Sequence, residues 1–110
     1  PLTEETRHLV DRRAFEQMKD GVILINASRG GIVDEKAARA ALDTGRLGGL
    51  GLDAFEEEPP AGSPLFDCEN VIATPHTGAH TREAAGKMAQ MAVENLIQML
   101  TGEACPHLVR

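Results

Sequence analysis

Val22 to Ile25 is an unbroken apolar run of β-favouring residues, preceded by Asp20-Gly21 and closed by Asn26. With no polar residue alternating through it, such a run reads as a strand buried on both faces, as in a parallel sheet. The rest of the chain has to supply helices to cover that sheet, and its pattern predicts them. Asp11 is placed to cap a helix through Met18, with Val10 and Phe15 as a hydrophobic staple and Asp20-Gly21 as the stop. After the turn Ser28-Arg29-Gly30-Gly31, Asp34 caps a second helix through Asp43, which Gly45 ends. A second strand is expected over Leu50 to Phe55. Pro59-Pro60 and Gly62-Ser63-Pro64 then make Glu56 to Pro64 a loop. Val71 to Thr74 is the third strand, stopped by Pro75. From Thr81 a long helix runs to Leu100, with Ala85, Met88, Ala92, Leu96 and Met99 as its expected buried face and Gly102 just past its end. This alternation is that of an α/β fold with a parallel sheet and right-handed crossovers. Three strands make a thin sheet, so the chain reads as half of one.

Composition narrows the classes of partner. In 110 residues, 11 Lys and Arg against 17 Asp and Glu leave a net charge of -6, the wrong sign for following a phosphate backbone. With three Phe and no Trp or Tyr there is no platform for stacking bases, and nucleic acid is not an expected partner. Cys68 and Cys105 have no paired spacing of the kind that makes a disulfide framework or a zinc site, which suits a reducing, cytoplasmic setting. No apolar run approaches the roughly 18 residues of a membrane-spanning helix, and the N-terminus lacks the order of a signal peptide. The chain begins at Pro1, which fits a processed product or a piece of something longer.

Ligands of open parallel sheets bind beyond the carboxyl ends of the strands, here just after Asn26, Asp53 and Thr74. Arg29 follows the first, between Ser28 and two glycines, and a guanidinium there can clamp a carboxylate through two parallel hydrogen bonds. Asp53 and the acidic run Glu56-Glu57-Glu58 follow the second. His76 follows the third, and a carboxylate bonded to it would orient it for proton exchange. Each taken alone has a plain structural explanation: a surface ion pair, a solvated acidic loop, a backbone-bonded histidine. An Arg, a carboxylate and a His at three adjacent strand ends together favour a site that oxidises an alcohol beside a carboxylate. Two other patterns carry nothing. Gly49-Leu50-Gly51-Leu52-Asp53-Ala54 matches a loose dinucleotide motif, but its glycines lie within the expected strand and no helix follows. His76 and His80 have the spacing of metal ligands on a helix, yet Pro75 and Gly78 make the segment a turn, and no metal site is expected.

Asn26-Ala27-Ser28-Arg29-Gly30-Gly31-Ile32-Val33-Asp34-Glu35, Leu52-Asp53-Ala54-Phe55-Glu56-Glu57-Glu58-Pro59 and Asn70-Val71-Ile72-Ala73-Thr74-Pro75-His76 closely resemble, in order and spacing, the D-isomer-specific 2-hydroxyacid dehydrogenases. The resemblance runs from Pro1 to the Gly102-Glu103 step. It implies a Rossmann-like NAD(P)-binding domain present only as its C-terminal half over 1-102, with 103-110 starting the return to a substrate domain. It further implies catalytic roles for Arg29, which holds the carboxylate and carbonyl of a 2-oxo acid, for Glu58, and for the acid/base His76. Ala27, Arg29, Asp53, His76, Thr77, Gly78 and Ala79 would contact the nicotinamide end of NAD, with NADP not excluded.

Among family members the Arg29 to Glu35 run and the Glu57-Glu58-Pro59-Pro60 loop look most like 3-phosphoglycerate dehydrogenase, with glyoxylate or hydroxypyruvate reductase beside it. The family's glycine-rich phosphate loop has no counterpart between Pro1 and Arg110, so this chain alone is expected to be inactive. The tail Cys105-Pro106-His107-Leu108-Val109-Arg110 departs from the valine-asparagine ending common in relatives. Relatives commonly dimerise through the cofactor domain. Two other readings share the motifs: a dinucleotide-regulated transcriptional corepressor of the same fold, and a truncated module that binds a partner without catalysis.

Overall fold

A computed structural model describes residues 1–108; Val109 and Arg110, the end of the expected return segment, lie outside the described residues. The chain divides into two compact units, Pro1–Thr77 and a second beginning at Gly78. In the first, α1 (Arg12–Gln17), β1 (Val22–Asn26), α2 (Glu35–Asp43), β2 (Leu47–Leu52) and β3 (Val71–Ala73) follow in order, and α3 (Arg82–Thr101) belongs to the second. The sheet is parallel throughout, in the order β1-β2-β3.

The helices begin where short polar side chains meet the free backbone N–H groups of a first turn. Asp11 accepts from Ala14 N at 2.9 Å, and Asp34 accepts from Lys36 N and Ala37 N, both at 3.0 Å. The chain leaves α2 through Thr44 and then Gly45, whose φ of 74° is in the left-handed region that favours glycine. One face of the sheet packs on α1 and α2, and the core is Phe15, Val33, Ala38, Leu42 and Leu47 together with Leu50, Leu52, Phe55 and Leu65.

Three sequence expectations are corrected. The second strand lies over Leu47–Leu52 rather than Leu50 to Phe55. Gly48 makes the early start possible, because a Cβ there would lie 2.5 Å from the Gly21 carbonyl oxygen. Asp53, Ala54 and Phe55 are buried but bend out of the ladder. The first strand is covered on one face only, Ile23 and Ile25 being 70% and 75% exposed, and Ile72 of β3 is 74% exposed on the same sheet. The reason is topological, since the link between β2 and β3 is a loop and supplies no helix for the second face.

The third correction concerns α3, described by itself. Thr81 Oγ1 accepts from Ala84 N at 3.0 Å, and Gly102 ends the helix at a φ of 78°. No residue of α3 is buried, and Met88, Leu96 and Met99 of the expected buried stripe are more than half exposed. Its unit contains no second element, among the described residues, to cover that stripe. Both cysteines are free thiols, and no described helix is long and apolar enough to cross a membrane.

Candidate active site

Three turns gather at the carboxyl edge of the sheet. The first leaves β1 at Asn26, a buried residue whose amide folds the turn around itself. Asn26 Oδ1 accepts from Ser28 N at 3.1 Å and Ser28 Oγ at 2.6 Å, and its Nδ2 donates to the Arg29 carbonyl at 2.9 Å. Ala27 and Arg29 are thereby held exposed at the rim, with Arg29 Nη1 donating to the Ser28 carbonyl at 2.7 Å. The turn then passes directly against the next one. A Cβ at Gly30 would lie 1.6 Å from the Phe55 carbonyl oxygen, so no residue with a side chain fits there unless the backbone moves.

The second turn begins with Asp53, which is 8% exposed. Burying a carboxylate is costly unless donors meet it, and here they come from the third turn. Asp53 Oδ1 accepts from Thr74 Oγ1 at 2.6 Å, Thr77 N at 2.8 Å and Thr77 Oγ1 at 3.4 Å. Asp53 therefore ties the end of β2 to the turn after β3.

The same two turns bring Glu58 to His76. Nδ1 of His76 lies 2.9 Å from Glu58 Oε2 and 3.1 Å from Oε1, and Oε1 also accepts from Phe55 N at 3.1 Å. The bond to His76, and after it that to the Phe55 N–H, hold the Glu58 carboxyl below its ordinary pKa. An ionised carboxylate only accepts, so Nδ1 carries the proton on its side and Nε2 is left as the nitrogen that exchanges one. His76 occupies this place with a φ of 53°, in the left-handed region that costs a residue with a side chain. Its N–H donates to the Thr74 carbonyl at 3.0 Å across Pro75, which closes the turn. The Glu58-Pro59 peptide is cis.

Beside the pair is an open, mostly apolar pocket of about 410 Å³, walled by Phe55, Phe66, Pro60 and Pro75. Phe55 and Phe66 face each other with ring centroids 5.8 Å apart at 59°. A groove of about 390 Å³ runs along the bare sheet face, from Ile23 and Gly49 to Ala27 and Asp53 at the strand ends. Gly49 and Gly51 open it, because Cβ atoms there would stand 3.7 Å and 3.4 Å from the side chains of Ile23 and Ile25. Both glycines lie inside β2, so they form no phosphate-binding turn.

Of the residues singled out from the sequence, Glu58 and His76 are in direct contact, and Asp53 is bonded to Thr77. Arg29 and Ala27 stand exposed on the turn beside them. Gly78 and Ala79 open the second unit as exposed turn residues. Sequence reasoning did not single out Asn26, Thr74, Glu35 or Ser63, all of which hold the turns in place. Asn26 two residues before Ser28 carries a recognisable turn signature, whereas the others pair across 21 or more residues and leave no local trace.

Residues 1–78 match the family model described as D-isomer specific 2-hydroxyacid dehydrogenase, NAD binding domain. The chain is 50% identical over 103 residues to glyoxylate/hydroxypyruvate reductase B of Enterobacter sp. (strain 638), covering 93% of this chain and 32% of that protein. The apo-structure of D-lactate dehydrogenase from Escherichia coli superposes with a TM-score of 0.84 at 42% identity, over 99% of this chain and 34% of the other. A D-isomer specific 2-hydroxyacid dehydrogenase from Xanthobacter autotrophicus Py2, solved with NADPH and MES, gives a TM-score of 0.78 at 39% identity, over 100% and 45%. The chain spans about a third of the length of the curated relatives it matches. By sequence and by fold alike, it belongs to the D-isomer specific 2-hydroxyacid dehydrogenase family, through the NAD binding domain of that family.

Proposed function

We propose that the full-length protein reduces a small 2-oxo acid, glyoxylate or hydroxypyruvate, to the D-2-hydroxy acid with a nicotinamide dinucleotide. The observation that carries this reading is the two-oxygen contact between Glu58 and His76 Nδ1 at the carboxyl edge of a parallel sheet. The choice among 2-oxo acids is supported by the 50% identity to a glyoxylate/hydroxypyruvate reductase. On this reading residues 1-102 are the C-terminal part of the cofactor domain, and 103-110 start the return to a substrate domain. The bare sheet face and the one-third coverage of relatives support that division. The protein acts in the cytoplasm as a homodimer through its cofactor domain, and the 110 residues by themselves are inactive.

The residues present suit the nicotinamide end of the cofactor: the furrow over Gly49 and Gly51 is a cradle that side chains would fill, and it ends at Ala27 and Asp53. Ala27, Arg29, Asp53, His76 and Thr77 would hold that end. NAD is the family's cofactor, and the relative solved with NADPH keeps NADP within the same proposal. When bound, the nicotinamide supplies the hydride. Arg29 binds the substrate carboxylate through paired hydrogen bonds and orients the carbonyl. Glu58 accepts from His76 Nδ1–H and stabilises the imidazolium, while Nε2 delivers its proton to the carbonyl oxygen as negative charge develops there.

The test is His76→Gln in the full-length protein. Glyoxylate or hydroxypyruvate reduction should fall by about 100-fold to 10,000-fold with the proton donor gone, while NADH titrated by its fluorescence binds as before. Near-normal turnover would overturn the assignment.

A further inference from the structure

Glu35 carries a carboxylate that the reaction does not use. It is the first residue of α2, directly after the capping Asp34, where an acidic side chain would ordinarily sit in solvent and complement the helix dipole. Instead Glu35 is 8% exposed, a burial that is costly without compensating donors. The donors come from the loop that bears Glu58. Glu35 Oε1 accepts from Glu56 N at 2.8 Å and Oε2 accepts from Ser63 Oγ at 2.7 Å. In return Glu35 N donates to Glu56 Oε1 at 2.9 Å, an oxygen that also lies 3.2 Å from His8 Nε2.

Apart from this bracket, the loop is tied to α2, among the described residues, only at its far end, where Arg39 Nη1 donates to the Pro64 carbonyl at 2.6 Å. Glu56, Glu57, Glu58 and Pro59 are all exposed, none pairs with a strand, and Pro59 and Pro60 have no N–H to donate. Besides the Glu58 contacts, its internal bonds are short-range: Ala61 N to Pro59 O at 2.8 Å and Ser63 N to Pro60 O at 3.2 Å. Held at Glu56 and at Ser63, the segment between them has its two ends fixed to the start of α2. That helix start is also where the Arg29 turn arrives, through Gly30, Gly31 and Val33.

We propose that Glu35 is a positioning residue: by bracketing Glu56 and Ser63 it sets where Glu58 meets His76 and keeps that pair in register with the Arg29 turn. The proposal rests on the functional reading of Glu58 and His76 given above. It predicts that Glu35 matters to turnover only through Glu58.

The experiment is a double-mutant cycle in the full-length protein, reading kcat and KM for glyoxylate and for NADH. Glu35→Ala should lower kcat about tenfold to a hundredfold, the scale of a misplacement near 1 Å, and leave KM for NADH unchanged. Glu35→Gln should recover most of the loss, because its amide oxygen still accepts from Glu56 N–H and its amide nitrogen can donate to Ser63 Oγ. With Glu58→Gln already in place, adding Glu35→Ala should cost less than about twofold further, since residues acting through one another are not additive. Losses that multiply would mean a general structural role and overturn the proposal. A Glu58→Gln variant with undiminished kcat would instead overturn the functional reading, and the positioning role with it. If Glu35→Ala does not fold, Ser63→Ala removes a single bond of the bracket, and the same cycle with Glu58→Gln decides by the same criterion with a smaller drop in kcat.

Discussion

An ionised carboxylate held by an imidazole and a backbone N–H has a definite consequence for acid behaviour. The folded pKa of Glu58 is lowered, first by His76 and then by Phe55 N–H, so the folded state binds fewer protons there than the unfolded chain. The stabilisation is therefore complete above the ordinary Glu range and is lost as pH falls through the lowered folded value. Denaturation of wild type and Glu58→Gln should show a stability difference that is present near pH 5 and shrinks as pH falls below about pH 4. A difference unchanged down the acid limb would show that the pair does not form in solution. Which of the three consecutive glutamates pairs with His76 is not readable from charge or spacing. The family resemblance points to Glu58, and the 2.9 Å contact is with that residue.

Elements begin and end on local chemistry, which is why helix starts were legible and sheet details less so. Asp11, Asp34 and Thr81 each cap the helix their sequence announces. Asp34 meets two free N–H groups and Asp11 one. Asp34→Ala should accordingly cost about 1 kcal/mol in chemical denaturation, and Asp11→Ala less. The second strand was harder to place, because Asp53-Ala54-Phe55 are buried like strand residues but turn into the core. Its early start at Leu47 depends on the close pass of Gly48 to Gly21, a contact between two segments that neither one reveals. The stripe on α3 shows the reverse case: a helical period predicts an apolar face, but burial needs a partner, and among the described residues its own unit holds no other element.

At the scale of the whole molecule, the site depends on turns from three strand ends packing without slack. Gly30 is the tightest point, since its missing side chain lets the Arg29 turn rest on the Phe55-Glu56 backbone. Gly30→Ala should destabilise the protein by about 1–3 kcal/mol and reduce turnover, because relieving the clash moves the Arg29 and Glu58 turns apart. Gly62→Ala, where a Cβ meets nothing within 4 Å, should stay within about 0.5 kcal/mol of wild type. Thermal midpoints and kcat of the two variants check both statements.

The sequence by itself determined the order of elements, their caps and stops, the parallel α/β class, and the three strand ends at which chemistry collects. Each of these follows from residues within a few positions of one another, where φ preferences, capping and apolar period act. Only the tertiary structure decided that Glu35 reaches Glu56 and Ser63, that Asp53 reaches Thr74 and Thr77, and that Glu58 lies against His76. Those contacts join residues 18 to 28 positions apart, and they form because a parallel sheet delivers successive strand ends to one edge, where buried carboxylates have to find donors.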